Sequence, residues 1–307
     1  MIKPLSFAFV LGVVVPLHAA VLGVPPDYTS RAISEVPNQE AIRARIYAPG
    51  LSDGFVPQGV AVVDGALWVA TYQSRDRSQN RGPCRVFKID ASDGRVIGDF
   101  AMPVECGHAN GITYAGDGIL YVADARHLFR VDVRKALADG RCAPTSCVTF
   151  TLPASLHGAA LGYANGTLWF APYRKAGNGT ARLWQVSEYD LRGRAARGDV
   201  ALDTSVARGG LPLADRTQGI AIAADGAIWV TQSGGDFGRL QRVDPTNGAV
   251  TASYAMPGGI EDIEFDASGT LWAVSEAGSQ RWSTWRTFFP FVFSLDTSRL
   301  IEEGRDR

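Results

Sequence analysis

One phrase recurs five times along the chain, and no other feature constrains the fold as tightly. It runs from Gln58 to Tyr72, from Asn110 to Asp124, more loosely from His157 to Tyr173, then from Gln218 to Gln232 and from Glu261 to Ser275. Each copy is an apolar strand, a tight turn ending in Gly, and a second apolar strand carrying an aromatic residue. A hairpin repeat of this size cannot bury its apolar face alone, and radial stacking of such units makes a β-propeller. The 34 glycines fit a turn-rich all-β chain, because tight hairpins need positive φ.

The repeats run almost end to end, so residues 21–307 read as one propeller domain. Apolar residues make up 46% of the 307, ample for a continuous core. The net charge of −1, with Arg and acid intermixed, argues against nucleic acid as a partner, since phosphate neutralisation needs a concentrated basic surface.

Residues 1–20 read as an export signal: Lys3 begins it, residues 5–17 are apolar, and His18-Ala19-Ala20 offers a cleavage zone, with a cut after Gly23 as the alternative. The apolar run is short for a membrane span, and no later segment is a candidate, so the expected location is secreted or periplasmic. The four cysteines fit that compartment and allow three pairings. Cys84–Cys106 and Cys142–Cys147 are favoured. Cys84 opens a third strand and Cys106 lies in the loop entering the next repeat, while Cys142 and Cys147 bracket a short turn. No Cys/His spacing suggests zinc.

Each blade should have four antiparallel strands. Third strands are expected at residues 85–89, 128–131, 182–188, 240–243 and 291–295, closed by Asp90, Asp132, Asp190, Asp244 and Asp296. Fourth strands are expected at residues 96–101, 148–152, 200–202 and 250–255. The last blade lacks a fourth strand of its own. Residues 42–49 alternate and end in Ala-Pro, as the fourth strands do, and should complete it, removing an exposed edge. This makes five blades. Six is the alternative if residues 191–216, read as a loop, hide further strands.

Equivalent positions in the repeats should form rings around one opening. The first ring is Gln58, Asn110, His157 (or Gly158, since this copy has an extra residue), Gln218 and Glu261. The second is Thr71, Asp124, Tyr173, Gln232 and Ser275, with Tyr72 and Glu276 adjacent. Converging polar side chains make a ligand or cation site, or a lattice for ordered water. His157 and the nearby His108 bring imidazole for proton transfer. Glu264 stands where other copies carry Ala61, Thr113 and Ala221, so its carboxylate must find a partner, raise its pKa or bind a cation. A structural salt bridge to Arg216 is the plainer expectation. The loops at residues 72–83 and 276–290 should rise over the same face, the second with Arg281, Trp282, Trp285, Arg286, Phe288 and Phe289.

The fourth copy, from Gln218 through Trp229 to Gly248, resembles blades of the regucalcin/gluconolactonase group, and is similar to NHL-repeat and streptogramin-lyase propellers. The resemblance implies a central divalent cation, calcium first, polarising a lactone carbonyl. Asn110-Gly111-Ile112 matches an Asn ligand phrase of that group, but Gln58 and Gln218 stand where its acids would be, leaving Glu261, with Asp124 as a second acid, to compensate. The lyase group needs a His late in the chain near the axis, and this chain has Glu261-Asp262-Ile263-Glu264 there.

The leading expectation is an exported propeller that binds a small molecule or short polymer over its opening. Contacts would come from Gln58, Tyr72, Asp124, Tyr173, Gln218, Gln232, Glu276 and Trp282. As an enzyme it would hydrolyse a lactone or ester, with Asn110 and Glu261 holding metal and His157 or Glu264 as base. The alternative is a non-catalytic envelope scaffold that meets a protein partner through its two long loops.

Overall fold

The chain forms five small antiparallel sheets, each built from consecutive strands, in a computed structural model that describes residues 20–304 except 176, 178–180 and 236. The proposed export signal, residues 1–20, lies outside the described residues but for its last. The first blade is Phe55–Val63, Ala66–Gln73, Cys84–Asp90 and Val96–Ala101; the second is Gly111–Tyr114, Ile119–Asp124, His127–Asp132 and Cys147–Thr151. The third is Ala160–Ala164, Thr167–Ala171, Ala181–Ser187 and Ala207–Leu213, and the fourth is Thr217–Ile222, Ile228–Gly234, Phe237–Val243 and Val250–Met256. The last holds Ile260–Phe265, Leu271–Ser275 and Phe291–Leu295. As expected, Ile42–Tyr47 completes it, pairing antiparallel with Phe291–Leu295. A further two-residue strand, Val21–Leu22, adds in parallel on the outside. The molecule is a five-bladed β-propeller.

Local chemistry explains the blades. In the first and third hairpins, Asp64-Gly65 and Asn165-Gly166 both hold positive φ, the turn whose twist matches the flanking strands. After the third strands, Asp90, Asp244 and Asp296 each accept the N–H two residues on, and Asp132 caps the helix Val133–Asp139 through Lys135. Both favoured disulfides, Cys84–Cys106 and Cys142–Cys147, are formed.

The Gly that follows the ring position lets neighbouring blades touch. A Cβ on Gly59 would lie 2.9 Å from the Ile112 side chain in the next blade, and one on Gly219 would lie 2.6 Å from Cα of Asp262. Only Gly permits inner strands to pack that closely.

The third blade corrects two expectations. Its fourth strand is Ala207–Leu213; at residues 200–202, Ala201 instead bridges Thr151 at the outer edge of the second blade. Asp190 does not close the third strand but sits in the first turn of a helix, Glu188–Arg197, capped by Ser187 and ended by Gly198. Residues 191–216 are therefore helix and strand as well as loop. The strand is masked in sequence by Gly209, Gly210 and Pro212, which an outer strand tolerates because one of its edges is unpaired.

Candidate functional site

The ring residues owe their aim to β-bulges. In the first blade Pro57 pairs Thr71 and Gly59 pairs Ala70, which leaves Gln58 as the extra residue. Gln218 is extra in the fourth blade in the same way. In the last blade the register shifts between Ile260 and Ile263, across Glu261 and Asp262. A bulge releases a side chain from the ladder and re-aims it.

In the third blade Ala160 pairs Ala171, as Gly59 pairs Ala70. The position equivalent to Gln58 is therefore Ala159. Neither His157 nor Gly158 occupies the ring; both precede it, because the extra residue is absorbed before the strand begins.

A buried cluster joins the last blade to the first. Glu261 and Glu276, both buried, share a carboxyl–carboxyl hydrogen bond. Gln58 Nε2 donates to Glu276 Oε2 at 2.9 Å, Trp282 Nε1 donates to the same oxygen at 2.6 Å, and Gln218 Nε2 donates to Glu261 Oε1 at 3.2 Å. Burial and the neighbouring Glu276 charge push the Glu261 pKa well up. Burial raises Glu276 to about 7, against the stabilising pull of Trp282, Arg281 and Gln58. Burial is the leading cause for both, and the two carboxyls titrate as a pair rather than as separate groups.

Two more acids fill the interior beside the inner strands. Asp262 Oδ2 accepts the backbone N–H of Ile112 at 3.0 Å and of Val60 at 3.3 Å. Glu264 Oε2 accepts from Val62 N–H at 2.7 Å, and its Oε1 accepts from the Thr113 hydroxyl at 2.7 Å. Burial raises Glu264 to about 7 and Asp262 well above the usual carboxylate range. The expected Arg216 bridge to Glu264 is replaced by these backbone and hydroxyl donors; the Arg216 guanidinium lies over Phe237.

The two long loops do rise together and clasp each other. Arg75 donates to Gln280 at 2.6 Å and Arg77 to Thr284 at 3.1 Å. Arg281 bonds the Tyr72 hydroxyl, and its guanidinium lies 4.3 Å from the Trp282 ring centre. Tyr72 is fully buried and stacks on His108, whose pKa burial lowers to about 4. Asp124 is also buried; it accepts from His108 N–H at 2.8 Å and pairs Arg81 at 3.0 Å. Gln232 donates to the Asp215 carbonyl at 2.6 Å. Tyr72, Asp124 and Gln232 are thus committed to internal partners.

The other half of the face is open. Asn110, His157, Tyr173 and Arg174 line a cavity of about 260 Å³ between the second and third blades, with Ala125 and Pro172. Tyr173 is 38% exposed. Burial raises its hydroxyl pKa, Arg216 opposes that, and the charges of Glu261, Asp215 and Glu276 reinforce it, so the acid pair is felt at the cavity. The His157 pKa is lowered by burial and then by Arg126, Arg174 and His127. The expected site residues therefore divide: Asn110, His157 and Tyr173 share the cavity, while Gln58, Gln218, Glu261, Glu276 and Trp282 form the buried cluster. The pairing of Glu261 with Glu276 and the arginines around the cavity were not foreseen. Arg126 and Arg174 do lie shortly after the strand ends Asp124 and Ala171, which was the available signal.

The buried carboxyls do not fit a divalent cation. Hard cations such as calcium take roughly six to eight oxygens, with several anionic ligands. Here the carboxyl oxygens receive N–H donors from Gln58, Gln218 and Trp282, an arrangement suited to a shared proton. Among the described residues, no group of three or more His, Cys, Asp or Glu side chains is placed to hold a metal ion.

Sheet order and site together define the class: a five-bladed propeller with a proton-sharing acid pair under a clasped half-face and an open polar cavity beside it. No protein-family model matches the chain, and no curated protein matches it by sequence. Among solved structures it is similar to virginiamycin B lyase from Staphylococcus aureus, at 18% identity and TM-score 0.41, over 75% of this chain and 66% of that one. It thus spans just under two thirds of the lyase's length. It is also similar to a calcium-binding regucalcin from Agrobacterium tumefaciens, at 16% identity and TM-score 0.45, over 94% and 97%, and to the Pan2 WD40 domain of Neurospora crassa, at 11% and 0.45, over 84% and 67%. Likeness at this level carries no functional argument.

Proposed function

We propose that this propeller binds a small molecule in the cavity between its second and third blades. The supporting observation is the meeting of Asn110, His157 and Tyr173, from separate segments, around one cavity of about 260 Å³. A few polar groups converging in a concave site are the usual make-up of a ligand pocket. The size suits a compact ligand better than a polymer. Turnover in this reading is ester or lactone hydrolysis, with neutral His157 as the base. The calcium-dependent form is not part of it, because the donors around Glu261 do not suit the ion.

The reading includes export. Disulfides persist in oxidising compartments, and among the described residues no helix is long and apolar enough to cross a membrane. Cleavage before Val21 would keep the strand Val21–Leu22, which a cut after Gly23 would remove.

A thermal-shift screen of small esters, lactones and polar acids tests the binding. At least one chemical class should raise the melting temperature of the wild type and lose its effect in Asn110→Ala and Tyr173→Ala. A screen without hits, or hits indifferent to both substitutions, would sink the reading.

A further inference from the structure

We infer that the ligand of this cavity is an anion, presented to the protein as a carboxylate or phosphate; the inference rests on the binding reading above. The ground is the arrangement of charge. Arg174 lines the cavity itself, and Arg126 follows directly on the lining residue Ala125. Arg216 is tied beside them: its backbone N–H donates to the Arg174 carbonyl at 2.7 Å. Arg174 therefore lines the opening of about 260 Å³, Arg126 acts with it on the lining residue His157, and the Arg216 guanidinium is turned onto Phe237.

None of the three forms an ion pair among the described residues, although eight other cations do. Arg126 and Arg174 are exposed, and among the described residues neither side chain has a hydrogen-bond partner. The opposing charges are few. Those that reach Tyr173 are Asp215, Glu261 and Glu276. Arg126 and Arg174 both depress the proton affinity of His157. Guanidinium forks match the planar oxygens of carboxylate and the oxygens of phosphate, and a bidentate contact adds orientation to attraction. Asn110 and the Tyr173 hydroxyl then supply neutral hydrogen bonds for the rest of a compact molecule.

The test is a titration of the disulfide-intact protein by calorimetry and by NMR with three probes: succinate, inorganic phosphate and the uncharged isostere succinamide. Succinate or phosphate should bind at least about tenfold more tightly than succinamide, and the tighter of the two anions identifies the head group. Arg174→Gln combined with Arg126→Gln should weaken anion binding by about tenfold or more, at unchanged melting temperature because both side chains are exposed. Tyr173→Ala should weaken all binding. If succinamide binds as well as succinate, and Tyr173→Ala abolishes both, the charge inference falls while the cavity stands as a binding site. If no probe binds, or anions bind equally well after both arginine substitutions, the inference is overturned.

Discussion

Gln58 and Glu276 are joined by a 2.9 Å hydrogen bond across the seam where the first blade meets the last. The donor is a bulge residue and the acceptor is half of the acid pair, so the bond ties ring closure to the buried cluster. Gln58→Leu removes the donor without changing the side-chain bulk greatly. It should destabilise the protein by about 1–3 kcal/mol in urea unfolding and push the Glu276 pKa further up. An unchanged unfolding midpoint would mean that the seam does not depend on this bond.

Stability should fall as pH rises through neutrality. Glu264 and Glu276 are raised to about 7 in the folded chain from an ordinary value of 4.5. A raised carboxyl contributes stability that is whole below about 4.5 and is lost as pH climbs through about 7. Urea midpoints from pH 5 to pH 8 should decline, with a slope on the order of 1 kcal/mol per pH unit. Glu264→Gln, which can still accept from Val62 and bond Thr113, should flatten part of that decline.

His108 should act in the opposite direction. Its pKa is lowered from 6.5 to about 4 by burial, so the folded chain resists protonation. Its contribution is whole above about 6.5 and is lost as pH falls toward 4. His108→Phe keeps a ring against Tyr72 and removes the titration. The variant should lose less stability than the wild type between pH 6.5 and pH 4.5 in the same urea assay.

Close packing of inner strands can be separated from turn geometry by two glycines. Gly219→Ala drives a methyl to within 2.6 Å of the Asp262 backbone, whereas Gly269→Ala, at φ 83°, meets nothing within 4 Å. The first should cost about 3 kcal/mol or more, and the second about 1 kcal/mol. Equal losses by calorimetry would refute the blade-contact explanation of the repeated Gly.

The disulfides differ in the loop they close, with sequence separations of 22 and 5. Paired Cys→Ser variants should lose about 3 kcal/mol for Cys84–Cys106 and about 2 kcal/mol for Cys142–Cys147 on loop entropy. Denaturant unfolding of the two variants checks the order.

Much of this architecture was legible because it is written locally. The Asp-Gly and Asn-Gly turns, the apolar alternation and the Asp that closes four of the five third strands act within a few residues, so the blades and the N-terminal closure could be read directly. Gln58, Gln218 and Glu261 were legible as ring members for the same reason. His157 was misplaced because register depends on a bulge, and the sequence does not say on which side of the strand an extra residue is absorbed. The strand Ala207–Leu213 was hidden because Gly and Pro usually mark loops, and only its outer position makes them harmless.

Sequence alone determined the repeat, and it favoured the ring closure and the cysteine pairing that the fold then established, because all three leave a mark in local pattern. Tertiary structure decided which half of the face is covered and which is open. That outcome depends on contacts such as Arg75 to Gln280 and Arg281 to Tyr72, between residues more than 200 positions apart. It also decided that Glu261 and Glu276 are buried against each other with raised pKa values, because the state of a buried acid is set by the neighbours that the fold brings to it.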